Sequence, residues 1–313
     1  MKVLIVGSLG MLGSDLVAVF HSRHEVLGVD RAQMDITSLE QCMAQVEKFL
    51  PDVIINAAAL TWVDYCETHE QEAFLVNGVG PANLARAAAR CGAILVHYST
   101  DYIFDGCKET PYLEDDEPNP RNVYGRSKLQ GEEQVRKFCP NHLIIRTSWL
   151  FGAHGNNFIR TILDAAQKGA PLRVVNDQKG SPSYSKDVAS HTLLMVERGC
   201  RKTYHLTNRG ACSWYELALK ALEYAHLHGV VITPVSTREF PRPASRPANS
   251  VLANSRLQQE GLPLLRPWQS AVKDYVEDYL LSKDCGNMQM IQSSTENSQS
   301  NGRVNWPGPT NLR

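Results

Sequence analysis

Short, nearly continuous apolar runs punctuate the first half of the chain, at residues 2–6, 25–29, 53–56, 94–98 and 143–146. Their length suits β-strands, and the lack of polar alternation suits strands buried on both faces. The intervening stretches are long enough for helices. Residues 81–91 are Ala-rich with interspersed arginines, a helix-favouring composition. Ser38 followed by Gln41 has the form of a capping box and predicts a helix start. Strands alternating with helices predict a doubly wound, Rossmann-type α/β fold with a parallel sheet covered by helices.

After residue 150 the texture changes: Gly and Pro are more frequent and the elements shorter. Helices are expected at 156–168, 185–198, 213–228 and 268–281, with Ser213 and Glu216 as a second capping box. Residues 240–249 carry three prolines and two arginines and must be extended. The pattern divides the chain into a first domain over 1–150 and a smaller C-terminal α/β region over 151–285, interleaved with the first. Residues 286–313 are rich in Ser, Asn, Gln and Gly, with little aliphatic content, and are expected to be a disordered tail.

Composition narrows the function. The chain has 313 residues, 43% of them hydrophobic, ample for a sizeable core. With 32 basic and 33 acidic residues the net charge is -1, which speaks against a nucleic-acid partner or a polybasic membrane arm. The apolar run at 3–6 is too short for a signal-peptide core, and no apolar stretch is long enough for a membrane span. Eight scattered cysteines form no CxxC pair and no zinc spacing, so thiols in a reducing cytoplasm are expected.

Gly7, Gly10 and Gly13 form a G-x-x-G-x-x-G loop between the first strand and an amphipathic segment. Glycines there permit a tight turn, close approach of a diphosphate, and close helix–strand packing. The helix N-terminus adds amides and partial positive charge. Asp30 ends the second strand, where a carboxylate can accept the adenosine ribose hydroxyls of NAD. Arg31 beside it can pair with the 2′-phosphate of NADPH. Asp35 and Ile36 can reach the adenine edge. Asn56 and Ala57–Ala59 leave room for such a ligand at the end of the third strand.

Tyr124 and Lys128 are spaced i, i+4 and so share one helix face. A cation near the phenol is expected to lower its pKa and tune it for proton exchange with a carbonyl. Ser99, Thr100 and Asp101 lie just past the fourth strand and bring hydroxyls to the sheet's carboxyl edge. In the proline-rich stretch, Arg242 and Arg246 could fork a diphosphate. His97 lies within a strand and reads as a packed core residue.

Through these motifs the chain resembles the extended short-chain dehydrogenase/reductase superfamily, and within it the dTDP-4-dehydrorhamnose reductase family. The resemblance rests on residues 97–104, 122–125 with Lys128, 146–149, 155–158, 176–182, 246–247 and 249–250, and covers about residues 1–282. It implies an NAD(P)H-dependent reduction of the C4 keto group of a nucleotide-linked 6-deoxy sugar. Tyr124 would be the proton donor, Lys128 would tune it and hold the nicotinamide ribose, and Thr100 would bond the reacting carbonyl. Asp101, Trp149, Asn157 and Arg246 are implied substrate contacts. Gly10, Met11, Leu12, Asp30, Asp35, Ile36, Ala59, Leu60 and Thr61 match cofactor contacts. The family often carries magnesium-binding glutamates. Asp15 and Lys186 stand at two of their places, and a protonated lysine cannot ligate a cation, so no metal site is expected. A homodimer is the implied assembly. Two other readings stay open: reduction or epimerisation of another nucleotide sugar, and the non-catalytic regulatory role that this fold plays for methionine adenosyltransferase.

Overall fold

Alternate residues of each buried strand face opposite cores. The structure, a computed structural model, describes residues 1–281. Its main sheet contains β1 (Lys2–Val6), β2 (Glu25–Val29), β3 (Val53–Asn56), β4 (Ile94–Thr100) and β5 (His142–Thr147). Val3, Ile5 and Ile145 pack into one apolar cluster with Leu16 and Phe20. Leu4, Val6 and Ile144 pack into the other with Leu84 and Ala88. This two-sided burial explains why the strands lack polar alternation.

A sixth strand, Lys202–His205, comes from the second half of the chain and pairs with β5. The order is Lys202–His205, β5, β4, β3, β1, β2, with every neighbouring pair parallel. The winding reverses between β1 and β3, the switch point outside which doubly wound sheets bind ligands. The connecting helices are α1 (Met11–His21), α2 (Leu39–Phe49), α3 (Val63–Thr68), α4 (Glu70–Phe74), α5 (Gly80–Cys91) and α6 (Val123–Phe138). A π-helical turn, Leu75–Val79, joins α4 to α5.

The second half contributes α7 (Phe158–Gln167), α8 (Ser185–Glu197), α9 (Trp214–Tyr224), α10 (Ser255–Gln259) and α11 (268–281). Short two-stranded ladders pair Leu150–Phe151 with Ser183–Tyr184, Leu172–Val175 with Ile232–Val235, and Lys179–Gly180 with Cys212–Ser213. These elements share a core of their own around Phe151, Leu163, Tyr184, Leu217 and Tyr275. By contrast, α8 lies on α1 and puts Val188, Ala189 and Leu193 into the core of the main sheet.

Some expectations need correction. β4 runs on through Thr100, so Ser99 and Thr100 are within the ladder, paired with Arg146 and Thr147, rather than past it. Gln41 does not complete a capping box. Ser38 accepts the Gln41 N–H, but the Gln41 side chain accepts the Asp35 N–H instead, at 2.9 Å. Ser213 and Glu216 do form a reciprocal box, with distances of 3.1 and 2.7 Å. α7 starts at Phe158 because Asn157 caps it. α9 ends at Tyr224, short of His228. His97 is fully buried against the Asn56 amide, at 3.1 Å. The tail expected over 286–313 lies outside the described residues.

Candidate active site

Gly7 follows β1 with φ +78°, a left-handed conformation that favours glycine. A Cβ on Gly7 would lie 2.8 Å from Ala58 N, and one on Gly13 would lie 1.9 Å from Gly7 O. The turn thus admits no side chain at either place. It presents the N-terminus of α1, whose N-cap is Gly10 and which has no side-chain cap. Those first N–H groups suit a phosphate.

A groove opens there, lined by Gly7, Gly10, Asp30, Arg31, Asp35 and Ile36, and faced by Ala57–Leu60. Bare backbone, an uncapped helix start and a carboxylate at the end of β2 fit a dinucleotide. Asp30 Oδ1 accepts the Ala32 N–H at 2.8 Å, which fixes its side chain. The Arg31 guanidinium lies 3.6 Å from Asp35, with its side chain 79% exposed. Met11 opens α1, Leu12 is buried in the core, and Thr61 is exposed beyond the alanines.

The first turns of α6 carry the second group. Asn122 caps the helix by accepting the Gly125 N–H at 2.7 Å. Tyr124, Lys128 and Glu132 then follow at successive turns, all buried. Lys128 Nζ donates to Tyr98 O at 2.6 Å. Burial brings its pKa down to about 8, with the Glu132 charge opposing. Burial works against the Glu132 charge too, but Arg146 and Arg136 outweigh it and hold the carboxyl low. Arg146 grips Glu132 with two bonds of 2.9 Å, and Arg136 adds one of 2.6 Å.

Tyr124 departs from expectation. Burial pushes its phenol above the ordinary value; a hydrogen bond with Thr100 only partly offsets this, and the Asp101 charge adds to it. The phenol therefore keeps its proton in this state. Thr100 Oγ1 donates to Asp101 Oδ1 at 3.0 Å. Burial raises the Asp101 carboxyl to about 6. Tyr102 sets its ring edge-on to Tyr124, 5.7 Å between centroids.

Trp149 takes φ +46° and stacks on Trp214 at 3.5 Å. A Cβ on Gly180 would strike the Trp149 ring, so Gly180 leaves the space that the indole fills. Arg246 pairs with Asp64. Asn157 is not brought to this group: its amide donates to Gly152 O and Tyr275 Oη, both at 2.9 Å, and accepts the Arg160 N–H. Asp15 bonds Ser185, and Lys186 pairs with Asp278 at 2.6 Å. No cluster of metal-ligating side chains occurs among the described residues.

Several site residues escaped the sequence reading. Asn77, in the π-helical turn, accepts the Leu60 N–H at 2.8 Å, and donates to Leu60 O and Ser127 Oγ at 3.0 Å. It thereby ties the groove wall to α6. Glu67 accepts the Val123 N–H at 2.8 Å, next to Tyr124. Asp64 and Trp214 complete the set. Only Trp214 left a trace, an indole next to a capping box; the others have partners too distant in sequence to be read.

The family model described as the RmlD substrate binding domain matches residues 1–281. The chain is 38% identical over 278 residues to the spore coat polysaccharide biosynthesis protein SpsK of Bacillus subtilis (strain 168), covering 88% of this chain and 97% of that one. It is 38% identical over 286 residues to a dTDP-4-dehydrorhamnose reductase of Aggregatibacter actinomycetemcomitans, covering 87% and 97%. The crystal structure of dTDP-4-dehydrorhamnose reductase from Bacillus anthracis str. Ames in complex with NADP superposes with a TM-score of 0.87 at 35% identity, covering 88% and 99%.

Proposed function

The chain belongs to the RmlD substrate binding domain family, and from that premise we propose that it reduces the C4 keto group of dTDP-4-dehydro-β-L-rhamnose to dTDP-L-rhamnose. The reading is carried by one observation: Thr100, Tyr124 and Lys128 converge at the end of β4 and the start of α6, on a sheet whose switch point carries a dinucleotide groove.

Bound NAD(P)H supplies the hydride that reduces C4. Gly7, Gly10 and Gly13 bind it by leaving backbone bare, and Asp30 orients the adenosine ribose. Arg31 is free enough to meet a 2′-phosphate, so both NADH and NADPH are accommodated. Lys128 holds the nicotinamide ribose. Tyr124 donates its proton to the carbonyl oxygen as that oxygen gains charge, and Thr100 bonds the same oxygen. Asp101 lies beside them, Trp149 packs on the sugar ring, and Arg246 meets the diphosphate. Residues 1–150 hold the cofactor and the Tyr–Lys pair, and residues 151–285 supply most of the substrate side.

Cys42, Cys66, Cys91, Cys107, Cys139, Cys200 and Cys212 are free thiols, which fits a reducing cytoplasm. No described helix is long and apolar enough to cross a membrane. The enzyme acts on a soluble nucleotide sugar, as a homodimer. Purified protein mixed with NADPH and dTDP-4-dehydrorhamnose is expected to oxidise the cofactor, read by loss of its near-ultraviolet absorbance. Turnover of only a different 4-keto nucleotide sugar would replace the substrate. Cofactor binding with no turnover of any such sugar would favour a regulatory role.

A further inference from the structure

The short helix between the cofactor groove and the proline-rich segment uses both of its half-buried carboxylates. α3 begins just after the groove-lining Leu60. Asp64, in its first turn, receives Arg242 through Nε at 2.9 Å and Nη2 at 2.8 Å. It also receives the Ala244 N–H at 3.1 Å and Arg246 through Nη1. Three residues of one segment thus converge on one carboxylate. Three residues on from Asp64, Glu67 holds the Val123 N–H, and Asn122 Nδ2 donates to Ser245 O at 2.8 Å. The groove wall, the start of α6 and residues 242–246 form one hydrogen-bonded assembly.

Burial disfavours the Asp64 charge, but the Arg246 hydrogen bond, the Ala244 N–H and both guanidinium charges outweigh it and keep the carboxyl below its usual range. Without that carboxylate the two guanidiniums repel each other, and each long side chain regains rotamer freedom. With it, two cations and one anion leave a net positive fork, which still attracts an anion. Arg246 is also close to Tyr102, whose ring packs on Tyr124.

We propose that Asp64 is a positioning residue for the substrate: it holds Arg242 and Arg246 together as a preassembled fork for the diphosphate of a nucleotide sugar, and ties that fork to the wall of the cofactor groove. The inference rests on the reading of Arg246 as a substrate contact. Preassembly acts by removing ordering cost from binding.

The test is calorimetric titration of the full chain with dTDP, and separately with NADPH, alongside steady-state kinetics. Asp64→Asn is expected to raise the dTDP Kd about tenfold, with the NADPH Kd changed by less than about twofold and the loss falling in KM rather than kcat. Asp64→Glu keeps the ion pair, and so the fold, but displaces the fork by a methylene; it is expected to weaken dTDP about threefold. Added to Arg246→Ala, Asp64→Asn should cost less than about twofold more, because the two act as a unit. Unchanged dTDP affinity in the folded Asp64 variants, a loss confined to kcat, or full additivity with Arg246→Ala would each overturn the positioning role while leaving the proposed function standing. Unchanged dTDP affinity in Arg246→Ala would instead remove the substrate reading of Arg246, and this inference with it.

Discussion

At Tyr124 two effects compete. Burial raises the phenol pKa, while hydrogen bonding to Thr100 lowers it, and burial wins. The phenol therefore stays protonated, the form that the proposed acid role needs. Tyr124→Phe is expected to lower kcat by about 10²–10⁴-fold, the usual contribution of general acid catalysis, with the NADPH Kd nearly unchanged. Single-turnover kinetics with a separate cofactor titration checks both; wild-type turnover would remove Tyr124 from the role. Lys128 titrates in reach of assay. Its pKa falls from 10.5 to about 8 because burial disfavours the cation. Between those values the unfolded chain binds the proton and the folded one releases it, so this residue's contribution to stability rises with pH across the window. The proposed hold on the nicotinamide ribose goes the other way, since it needs the charge. kcat/KM for NADPH, which reports the free enzyme, is expected to fall above pH about 8. A flat profile through pH 9 would show either that Lys128 keeps its proton there or that its charge is not needed.

Along α6 the residues at four-residue spacing form a column of unlike groups, Tyr124, Lys128 and Glu132. The first two were legible from their spacing taken together with the glycine loop and the hydroxyls of Ser99 and Thr100. Glu132 was not, because its meaning comes from Arg146, on β5, and a buried carboxylate looks like any other in a sequence. Removing one member of a buried ion pair costs about 3–5 kcal/mol, because its partner is left charged and dry. Glu132→Ala is expected to destabilise the fold by that amount in urea titration, and to lower the Lys128 pKa further by removing the charge that supports it. The same contrast runs through the other elements. β1 to β5 could be read because burial on both faces leaves an unbroken apolar run. The strand Lys202–His205 could not: it is a short edge strand of sequence KTYH, opening with Lys202 at φ +82°. The glycine loop was legible because close backbone approach admits only glycine. The Asp64 fork was not, since its partners lie about 180 residues away. Asn157, an implied substrate contact by resemblance, caps α7 in the structure, a use that the sequence alone does not display.

A boundary at residue 150 does not divide the chain by folding. The core of the main sheet draws Val188, Leu193, Tyr204, Leu206 and Leu257 from the second half, all buried. They cover Leu16, Phe20 and Ile5, which are fully buried in the whole chain. Polar contacts cross the same line: Tyr98 bonds Thr192 at 2.6 Å, and Asp15 bonds Ser185. Exposing one large apolar side chain costs about 1.5–3 kcal/mol, against a total stability of about 5–15 kcal/mol for a typical domain. Losing the cover from α8 and the sixth strand exposes several at once, which is enough to unfold the sheet. Residues 1–150 made alone are accordingly expected to show no cooperative thermal transition, whereas the full chain should melt in a single one, with near-ultraviolet and far-ultraviolet dichroism changing together. Two separate transitions in the full chain, or a cooperative melt and NADPH binding in the 1–150 fragment, would mean that the cofactor half folds by itself and that the interleaving serves the substrate site rather than the stability of the sheet.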